Sequence, residues 1–519
     1  MFARMKQAVK PYRLWALGVL VFGIVFFQPL RELIYRCVYE FSGPSNWDAS
    51  IYWAVGRGMV NGRRLYSEIF DIKPPGIFLL SALSLRLTDS NLLCHIGQGL
   101  AVILTAFAPI LATLFQKKRF SSRGEFGAAL GLSALFGVIM AIYSADRSGE
   151  FQVESFGAAM GFLYVVGISI NEERRLLRTI LMALGFLGAC GFKEPFVLSI
   201  LAVCLVFSRD RRSWIRNLVI PFSAAALIGC LGLLVLGIWG PFFHDYLGFM
   251  MKTHVSRMGS PWVRGMDVLA LWRDTQGYIP GFGALLAVLC GFFAWSQWSL
   301  DKERGTRGAF FGGLVRVLLG LYLVSLSVGL GGEYFGHHYI FALPAYFGWF
   351  MWLVTWEAGG RRTSYYWLPA VVFFVTVVGL LSPKTNYQER MGYWEKAQSR
   401  ARKDAQYVDA VLDAEKLTSY AFVGRNGPET LYGSTRHSPM GPLFFQLSGW
   451  MDNEKFRRNT LENLRNAQFV VQAHMRELGS VENEVMTYLR DNFTDVPWPS
   501  VARIPRPEGA VVTYLFRKR

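Results

Sequence analysis

The sequence has few cysteines, no metal-ligand motif built from paired cysteines and no low-complexity segment. Only six cysteines occur in 519 residues, none lies beyond Cys290, and no two form a C-x-x-C pair. This scarcity excludes a disulfide framework and a cysteine metal site. No H-E-x-x-H motif and no internal repeat occur either. Charge is also sparse, since Asp, Glu, Lys and Arg make up only 18% of the residues.

Long apolar runs make up much of the rest of the chain. Apolar residues make up 52% of the chain and aromatic residues 15%, a composition typical of an integral membrane protein. About eleven segments are long enough to cross a bilayer, alone or as pairs of short helices. We interpret the first as a retained span, because no small-residue cleavage site follows it. The segments are 14–30, 91–116, 126–143, 155–170, 179–192, 195–208, 217–240, 279–299, 309–330, 339–356 and 367–382.

The net charge of +17 would suggest nucleic-acid binding in a soluble protein, but here it follows the topology. Basic clusters near residues 4–13, 117–123, 174–178, 209–216, 302–307 and 361–362 alternate with the apolar segments. They all face the cytoplasm if residues 77–87 do not cross the membrane. We therefore expect 77–87 to form a juxtamembrane or re-entrant helix. The N-terminus is then cytoplasmic and the C-terminus lies outside.

This topology gathers the polar residues on the outer face. The first outer loop contains "NWDASIYWAVGRGMVNGRRLYSEIFDIKPPG", residues 46–76. The other outer segments are 144–154, the tip at 193–195, the stretch 241–278 and the segment 331–339. From residue 383 the apolar density falls, and strand patterns ("SYAFV", "AQFVVQAH", "GAVVTYLF") alternate with amphipathic helical patterns. The sequence therefore predicts a polytopic α-helical membrane domain, 1–382, and a C-terminal extracytoplasmic α/β domain, 383–519.

The first outer loop carries a resemblance. Its residues Asp48, Tyr66, Asp71 and the Lys73–Gly76 run resemble the catalytic first loop of the C-type integral-membrane glycosyltransferases, the superfamily of protein mannosyltransferases and bacterial aminoarabinose transferases. In that family an acidic residue just after the first span is catalytic, and a K-P-P-type motif follows it. The resemblance extends loosely to "GFKEPF" and "HHYIFALP" and covers about residues 1–382. The catalytic loop is then 31–76.

The resemblance implies transfer of a sugar from a polyprenyl-phosphate donor to a glycan, lipid or protein acceptor, with inversion. Such a reaction needs a carboxylate to take the acceptor proton, and we assign Asp48 to that role. The departing phosphate needs a cation or a metal ion. Lys73 is the first candidate, with Arg57 and Arg64 behind it. A divalent ion held by Asp48 and Glu154 is the cofactor that this chemistry admits.

Further candidate substrate contacts come from the same loop and from the other outer segments. They are Tyr66, Asp146, Glu154, Lys193, His337, His338 and Tyr339. Several of the candidate site residues also have a purely structural interpretation. Asp48 could cap a helix, Lys73 could pair with Asp71, and Lys193 could pair with Glu194. Adjacent histidines are splayed on a helix and make poor joint ligands.

Two other functional classes remain open: a lipid or solute transporter, and a membrane scaffold that presents the outer domain. A transporter is expected to place polar groups near the bilayer midplane, whereas here they gather at the outer ends of the segments. We therefore favour the transferase, in the inner membrane of a bacterium. The expected partners are the lipid-linked donor, the acceptor and membrane lipids, and not nucleic acid.

Overall fold

The computed structural model describes residues 27, 31, 34, 47–120, 122–147, 151–208, 210–255, 260–267, 307–330, 336–357, 387–424, 431–442, 444, 453–472, 482–495 and 513–518. The predicted spans at 279–299 and 367–382, and all but one residue of the span at 14–30, lie outside these residues.

The described part of the chain before residue 360 is helical, as the apolar runs predict. Within the described residues, four helical stretches are long and apolar enough to cross a membrane: Leu92–Phe115, Arg123–Ala145, Glu172–Phe192 and Arg211–Val235. The helices are α1 (Trp47–Val60), α2 (Pro75–Thr88), α3 (Leu92–Phe115), α4 (Arg123–Arg147), α5 (Val153–Ser169), α6 (Arg175–Phe192), α7 (Phe196–Phe207), α8 (Ile220–Val235), α9 (Pro261–Met266), α10 (Arg307–Gly329) and α11 (Leu343–Glu357). A short helix, Arg211–Trp214, and a π-helical segment, Ile215–Val219, run directly into α8, and a 3-10 helix, Gly336–Ala342, runs into α11.

The helix expected at residues 77–87 is present as α2. Pro75 stands at its first position, where the missing N–H costs no hydrogen bond. It ends at Asp89, whose left-handed backbone (φ 49°) lets its N–H bond to the Leu85 carbonyl. Its 14 residues rise about 21 Å, less than the roughly 30 Å of a hydrocarbon core. That this helix does not cross the membrane stays a prediction.

The C-terminal part begins with a long helix and continues as a mixed sheet. The elements are α12 (Tyr387–Ala414), β1 (Ser419–Val423), α13 (Leu431–Ser434), β2 (Ser438–Pro439), α14 (Glu454–Asn466), β3 (Phe469–Gln472), α15 (Glu482–Asn492), β4 (Phe493–Asp495) and β5 (Thr513–Arg517). The five strands among the described residues lie in the order β2–β1–β3–β5–β4, with β1 parallel to β2 and β3, and β5 antiparallel to β3 and β4. The predicted strand patterns at "SYAFV", "AQFVVQAH" and "GAVVTYLF" correspond to β1, β3 and β5.

The C-terminal part packs directly on the segment 47–76. The Phe70 N–H donates to the Pro442 carbonyl at 2.8 Å, and the Phe70 and Phe456 rings lie 5.4 Å apart. Gly433 sits so close to α1 that an added Cβ would lie 2.8 Å from Ser50 Cα. One buried apolar cluster runs from α1 into the sheet. The segment therefore takes part of its core from the C-terminal part.

Candidate functional site

Asp48 lies in the first turn of α1, where a carboxylate interacts favourably with the helix dipole. The expectation that a helix begins here is correct, but the side chain also has a distant partner. Gln152, the residue before α5, donates from Nε2 to Asp48 Oδ2 at 2.9 Å. Burial raises the pKa of Asp48, and Lys73, His337, Gln152 and Lys193 lower it by more, so the net shift is downward. Asp48 is therefore ionised at neutral pH.

Lys73 lies at the centre of this cluster. Its carbonyl accepts a 2.8 Å hydrogen bond from the Tyr66 hydroxyl, and its Nζ lies 5.9 Å from the centroid of the Tyr52 ring. Burial lowers the pKa of Lys73, but the nearby carboxylates raise it by more, and the net shift is upward. The lysine therefore keeps its charge although it is buried. The carboxylates that act on it belong to Asp71, Asp48, Glu154 and Glu194.

A close contact between two glycines brings a second lysine to the site. A Cβ on Gly76 would lie 2.5 Å from the Gly191 carbonyl oxygen, so the K-P-P-G turn can lie against the end of α6. Lys193 follows directly, with 8% of its surface exposed. Burial and the charge of Lys73 lower its pKa. Two lysines thus lie close together where water has little access.

Glu194 is adjacent to Lys193 and is held from another segment. The Tyr246 hydroxyl donates to Glu194 Oε1, and the Tyr246 ring stacks on Tyr66 with 4.8 Å between centroids. Burial raises the pKa of Glu194. Lys193 and Glu194 also interact electrostatically, as part of a larger cluster of charges.

Several polar atoms in the cluster are buried but have no hydrogen-bond partner among the described residues. Glu154, in the first turn of α5, is only 1% exposed. The atoms are Glu154 Oε2, Asp71 Oδ2, Gln152 Oε1 and the Tyr52 hydroxyl. Buried polar atoms are rarely left unsatisfied in proteins. A group of them beside charged side chains is what a binding site for a polar ligand presents.

His337 reaches the same cluster from the 3-10 helix before α11. Burial lowers its pKa to about 4, and the charges of Lys73 and Lys193 act in the same direction, whereas Asp48 opposes them. The imidazole is therefore neutral at neutral pH. The ring of His338 lies 4.6 Å from it and is 5.6 Å from the Phe341 ring, and Tyr339 is buried. Of these three described residues, His337 is the one whose charge acts on the pKa of Asp48.

Three of the predicted substrate contacts lie elsewhere or are not described. Arg57 bonds to the Gly433 carbonyl at 3.4 Å, so it faces the C-terminal part. Arg64 is exposed on the turn after α1, where its N–H bonds to Glu68 Oε2 at 2.7 Å. Asp146 belongs to the last turn of α4, and its side chain is outside the described residues. The structure therefore gives none of the three a place beside Asp48.

The predicted divalent ion has little to hold it in the described part of the chain. No group of three or more His, Cys, Asp or Glu side chains that could bind a metal ion occurs among these residues. Asp48 and Glu154 offer two carboxylates, and Lys73 lies in the electrostatic field of both. The ion stays a prediction.

Sequence reasoning did not single out Gln152. It counted Tyr52 and Asp71 among the residues of the first-loop resemblance without assigning them a site role, and it treated Glu194 only as a pairing partner of Lys193. A lone amide in an outer loop carries no chemical signal. The position of Gln152 directly before a helix that starts with Val153–Glu154 was the one available indication.

Comparison with known proteins leaves the family open. No family model matches the chain, and no curated protein matches it. The structure is similar to the crystal structure of ArnT from Cupriavidus metallidurans bound to undecaprenyl phosphate. The TM-score is 0.49 at 12% sequence identity, over 96% of this chain and 98% of that one. A likeness of this size carries no functional conclusion, so function must be argued from the site.

Proposed function

We propose that the chain is a membrane glycosyltransferase of the C type, which moves a sugar from a polyprenyl-phosphate donor to an envelope acceptor. One observation supports this most: an ionised Asp48, held by Gln152, lies in one buried cluster with two lysines. The first-loop motif that carries the family resemblance contains Asp48 and Lys73. Base and phosphate ligand are the two groups that such a transfer needs.

The lysines suit the donor phosphate. The positive charge of Lys73 acts unfavourably on that of Lys193, and charges interact strongly where water is excluded. A phosphate that contacts both ammonium groups relieves this repulsion. It also stabilises the charge that develops on the leaving phosphate as the glycosidic bond breaks.

Asp48 acts as the general base. The acceptor hydroxyl gives its proton to the carboxylate as its oxygen bonds to the anomeric carbon, and the bond from that carbon to the phosphate oxygen breaks. The electron pair of that bond leaves with the phosphate, and the anomeric configuration inverts. Asp48 Oδ2 accepts the Gln152 amide, so we assign the proton transfer to Oδ1. Donor binding engages the lysines that lower the pKa of Asp48, so the carboxylate becomes a stronger base in the complex.

The buried polar atoms without partners suit sugar hydroxyls. Glu154 Oε2 and the Tyr52 hydroxyl lie in the same cluster as the two lysines. A sugar offers several hydroxyl groups, each able to donate and to accept a hydrogen bond. Their match with these atoms would orient the anomeric carbon towards the base.

The C-terminal part is assigned to the acceptor. A cavity of about 170 Å³ lies between it and the outer segments, with Tyr66 and Phe70 on one side and Phe456 on the other. Lys455, also in its lining, pairs with Asp245 across the junction. With the topology predicted from the basic clusters, this junction and the Asp48 cluster lie on the outer face of a bacterial inner membrane. The acceptor then approaches from the periplasm.

The test is transfer by the purified full chain with a panel of polyprenyl-phosphate sugars and an envelope extract as acceptor. We expect release of polyprenyl phosphate with at least one donor, together with labelling of an extract component. Binding of the lipid without turnover on any donor would contradict the proposal and favour a transporter.

A further inference from the structure

A second polar cavity lies at the opposite end of the helical part from Asp48. Its volume is about 350 Å³. The distance between the cavity and the Asp48 cluster runs along α5. Glu154 lies at one end of this helix, and Ile168, which lines the cavity, lies near the other end. Their separation of 14 positions corresponds to about 21 Å along a helix. The lining residues are Arg119, Ile168, Ile170, Asn171, Glu172, Arg178, Phe207, Arg216 and Asn217.

The charge of the lining is mainly positive. Three guanidinium groups and one carboxylate line the cavity, and the carboxylate of Glu172 pairs with Arg216. The guanidinium of Arg178 lies within electrostatic range of both Arg119 and Arg216. Like charges that are held close together repel one another, and a bound anion removes this repulsion.

Arg178 is fixed by a buried asparagine. It donates to Asn217 Oδ1, while Asn217 donates to Ser208 Oγ at 3.0 Å. The backbone carbonyl of Asn217 accepts from the Tyr164 hydroxyl. The guanidinium is therefore positioned by contacts from α5 and from the segment between α7 and α8. A preset guanidinium binds an oxyanion without losing much side-chain freedom.

Two donors on the arginines that line this cavity are unused. The Nε atoms of Arg178 and Arg216 are buried and have no hydrogen-bond partner among the described residues. An unmade hydrogen bond of a buried charged group is expensive. Phosphate oxygens accept from such N–H groups in pairs, with the geometry that the guanidinium favours.

An ordinary cluster of basic residues at a helix end differs from this arrangement. Arg174 and Arg175 are the ordinary case, since both are exposed and neither lines the cavity. Such residues are sufficient to orient a helix in a membrane. Arg178 has an asparagine support, and Arg178 and Arg216 have buried Nε donors without a partner among the described residues, which orientation alone does not need.

We propose that this cavity binds a phosphate group, either that of an anionic membrane lipid or free phosphate. Apolar side chains in the lining, such as Ile168 and Phe207, and exposed ones nearby, such as Ile215 and Val219, suit the acyl chains of a lipid whose phosphate enters the cavity. The site is distinct from the Asp48 cluster and does not depend on the proposed function.

The lipid arm of the test uses native mass spectrometry of the full chain taken from nanodiscs of equal phosphatidylglycerol and phosphatidylcholine. We expect the wild type to retain phosphatidylglycerol preferentially and Arg178→Gln to retain it about tenfold less, as loss of a charge-assisted hydrogen bond implies. Arg119→Gln, at the exposed edge of the cavity, is the second variant and needs no buried contact to fold. Arg175→Gln is the matched control and should behave like the wild type.

The phosphate arm uses the same proteins in detergent without lipid and measures the thermal midpoint as inorganic phosphate is added. A rise in the wild type and in Arg175→Gln, but not in Arg178→Gln or Arg119→Gln, identifies free phosphate as a ligand. A response in the lipid arm alone identifies the lipid headgroup. Equal retention and equal midpoints for all four proteins would overturn the proposal.

Discussion

The side-chain amide of Gln152 donates to the carboxylate of Asp48 across 2.9 Å, although the two residues are 104 positions apart in the chain. This contact joins the starts of α1 and α5, two helices that are far apart in the chain. It engages Oδ2 of the carboxylate, and the proposed mechanism assigns the proton transfer to Oδ1. It also adds to the charges that keep Asp48 ionised.

Gln152→Leu should lower turnover roughly tenfold or more, because a hydrogen bond to a charged group contributes about 1.5–3 kcal/mol. Leucine has nearly the same volume but cannot donate. The change removes a contact that positions the base and leaves the phosphate ligands in place, so donor affinity should stay the same. Rates and donor binding of purified protein measure both quantities. Equal turnover in the variant would show that the contact does not position the base.

Lys73→Met and Lys193→Met should each weaken donor binding by roughly tenfold, because each removes a charge-assisted contact with phosphate. Methionine keeps much of the apolar stem of lysine. The measurement is a binding titration with the polyprenyl phosphate itself. Lys118→Met is the matched control, since Lys118 is exposed and pairs with Glu173 at 3.1 Å near the other end of α5. If the control and the two variants bind the lipid equally, these lysines are not phosphate ligands.

Gly433→Ala should disturb the Asp48 site from the C-terminal part. The added Cβ would lie 2.8 Å from Ser50 Cα. The backbone of α1 must therefore shift at Ser50, which is two residues from Asp48. Such overpacking costs about 1–3 kcal/mol. We expect a lower thermal midpoint together with reduced turnover. Gly392→Ala is the control, because a Cβ there meets nothing within 4 Å. Wild-type stability and activity of Gly433→Ala would mean that the two parts do not pack as described.

The low pKa of His337 gives a pH dependence of stability with a definite sign. Its pKa is about 4 in the folded protein, against 6.5 ordinarily, so the unfolded chain binds a proton between these pH values that the folded protein excludes. The free energy of unfolding must therefore fall as the pH is lowered through this range. His337→Gln removes this term, so its thermal midpoint should fall less between pH 6.5 and pH 5 than that of the wild type. A parallel fall in both proteins would contradict the assignment.

The sequence predicted the helical segments and most of the site, for separate reasons. Apolar length marked α3, α4 and α6, because backbone groups in a bilayer must be satisfied within a helix. The first-loop motif marked Asp48 and Lys73. The other members, Glu154, Lys193 and His337, were found because they are charged or titratable residues at the outer ends of apolar segments.

The positions of the Arg57 and Gln152 side chains could not be predicted, because they depend on side-chain direction. Arg57 comes nine positions after Asp48 in a continuous helix, which places it about half a turn around and roughly 13 Å along. It therefore faces the C-terminal part and not the cluster. Gln152 was missed because its partner is distant in the chain, and only the packing of α1 against α5 brings the two together.

The central claim is that Asp48 is the general base, and Asp48→Asn tests it most directly. Asparagine keeps the shape and suits the start of a helix equally well, but it cannot take a proton. We predict normal protein level and donor binding, with turnover lowered by about 10²–10⁴-fold. Asp89→Asn is the matched control, because Asp89 is an exposed cap at the end of α2 where asparagine is equally suitable, and it should retain full activity. The decisive measurement is the transfer rate from a polyprenyl-phosphate sugar by the purified Asp48→Asn protein: loss of turnover with donor binding intact is expected, and wild-type turnover would contradict the account.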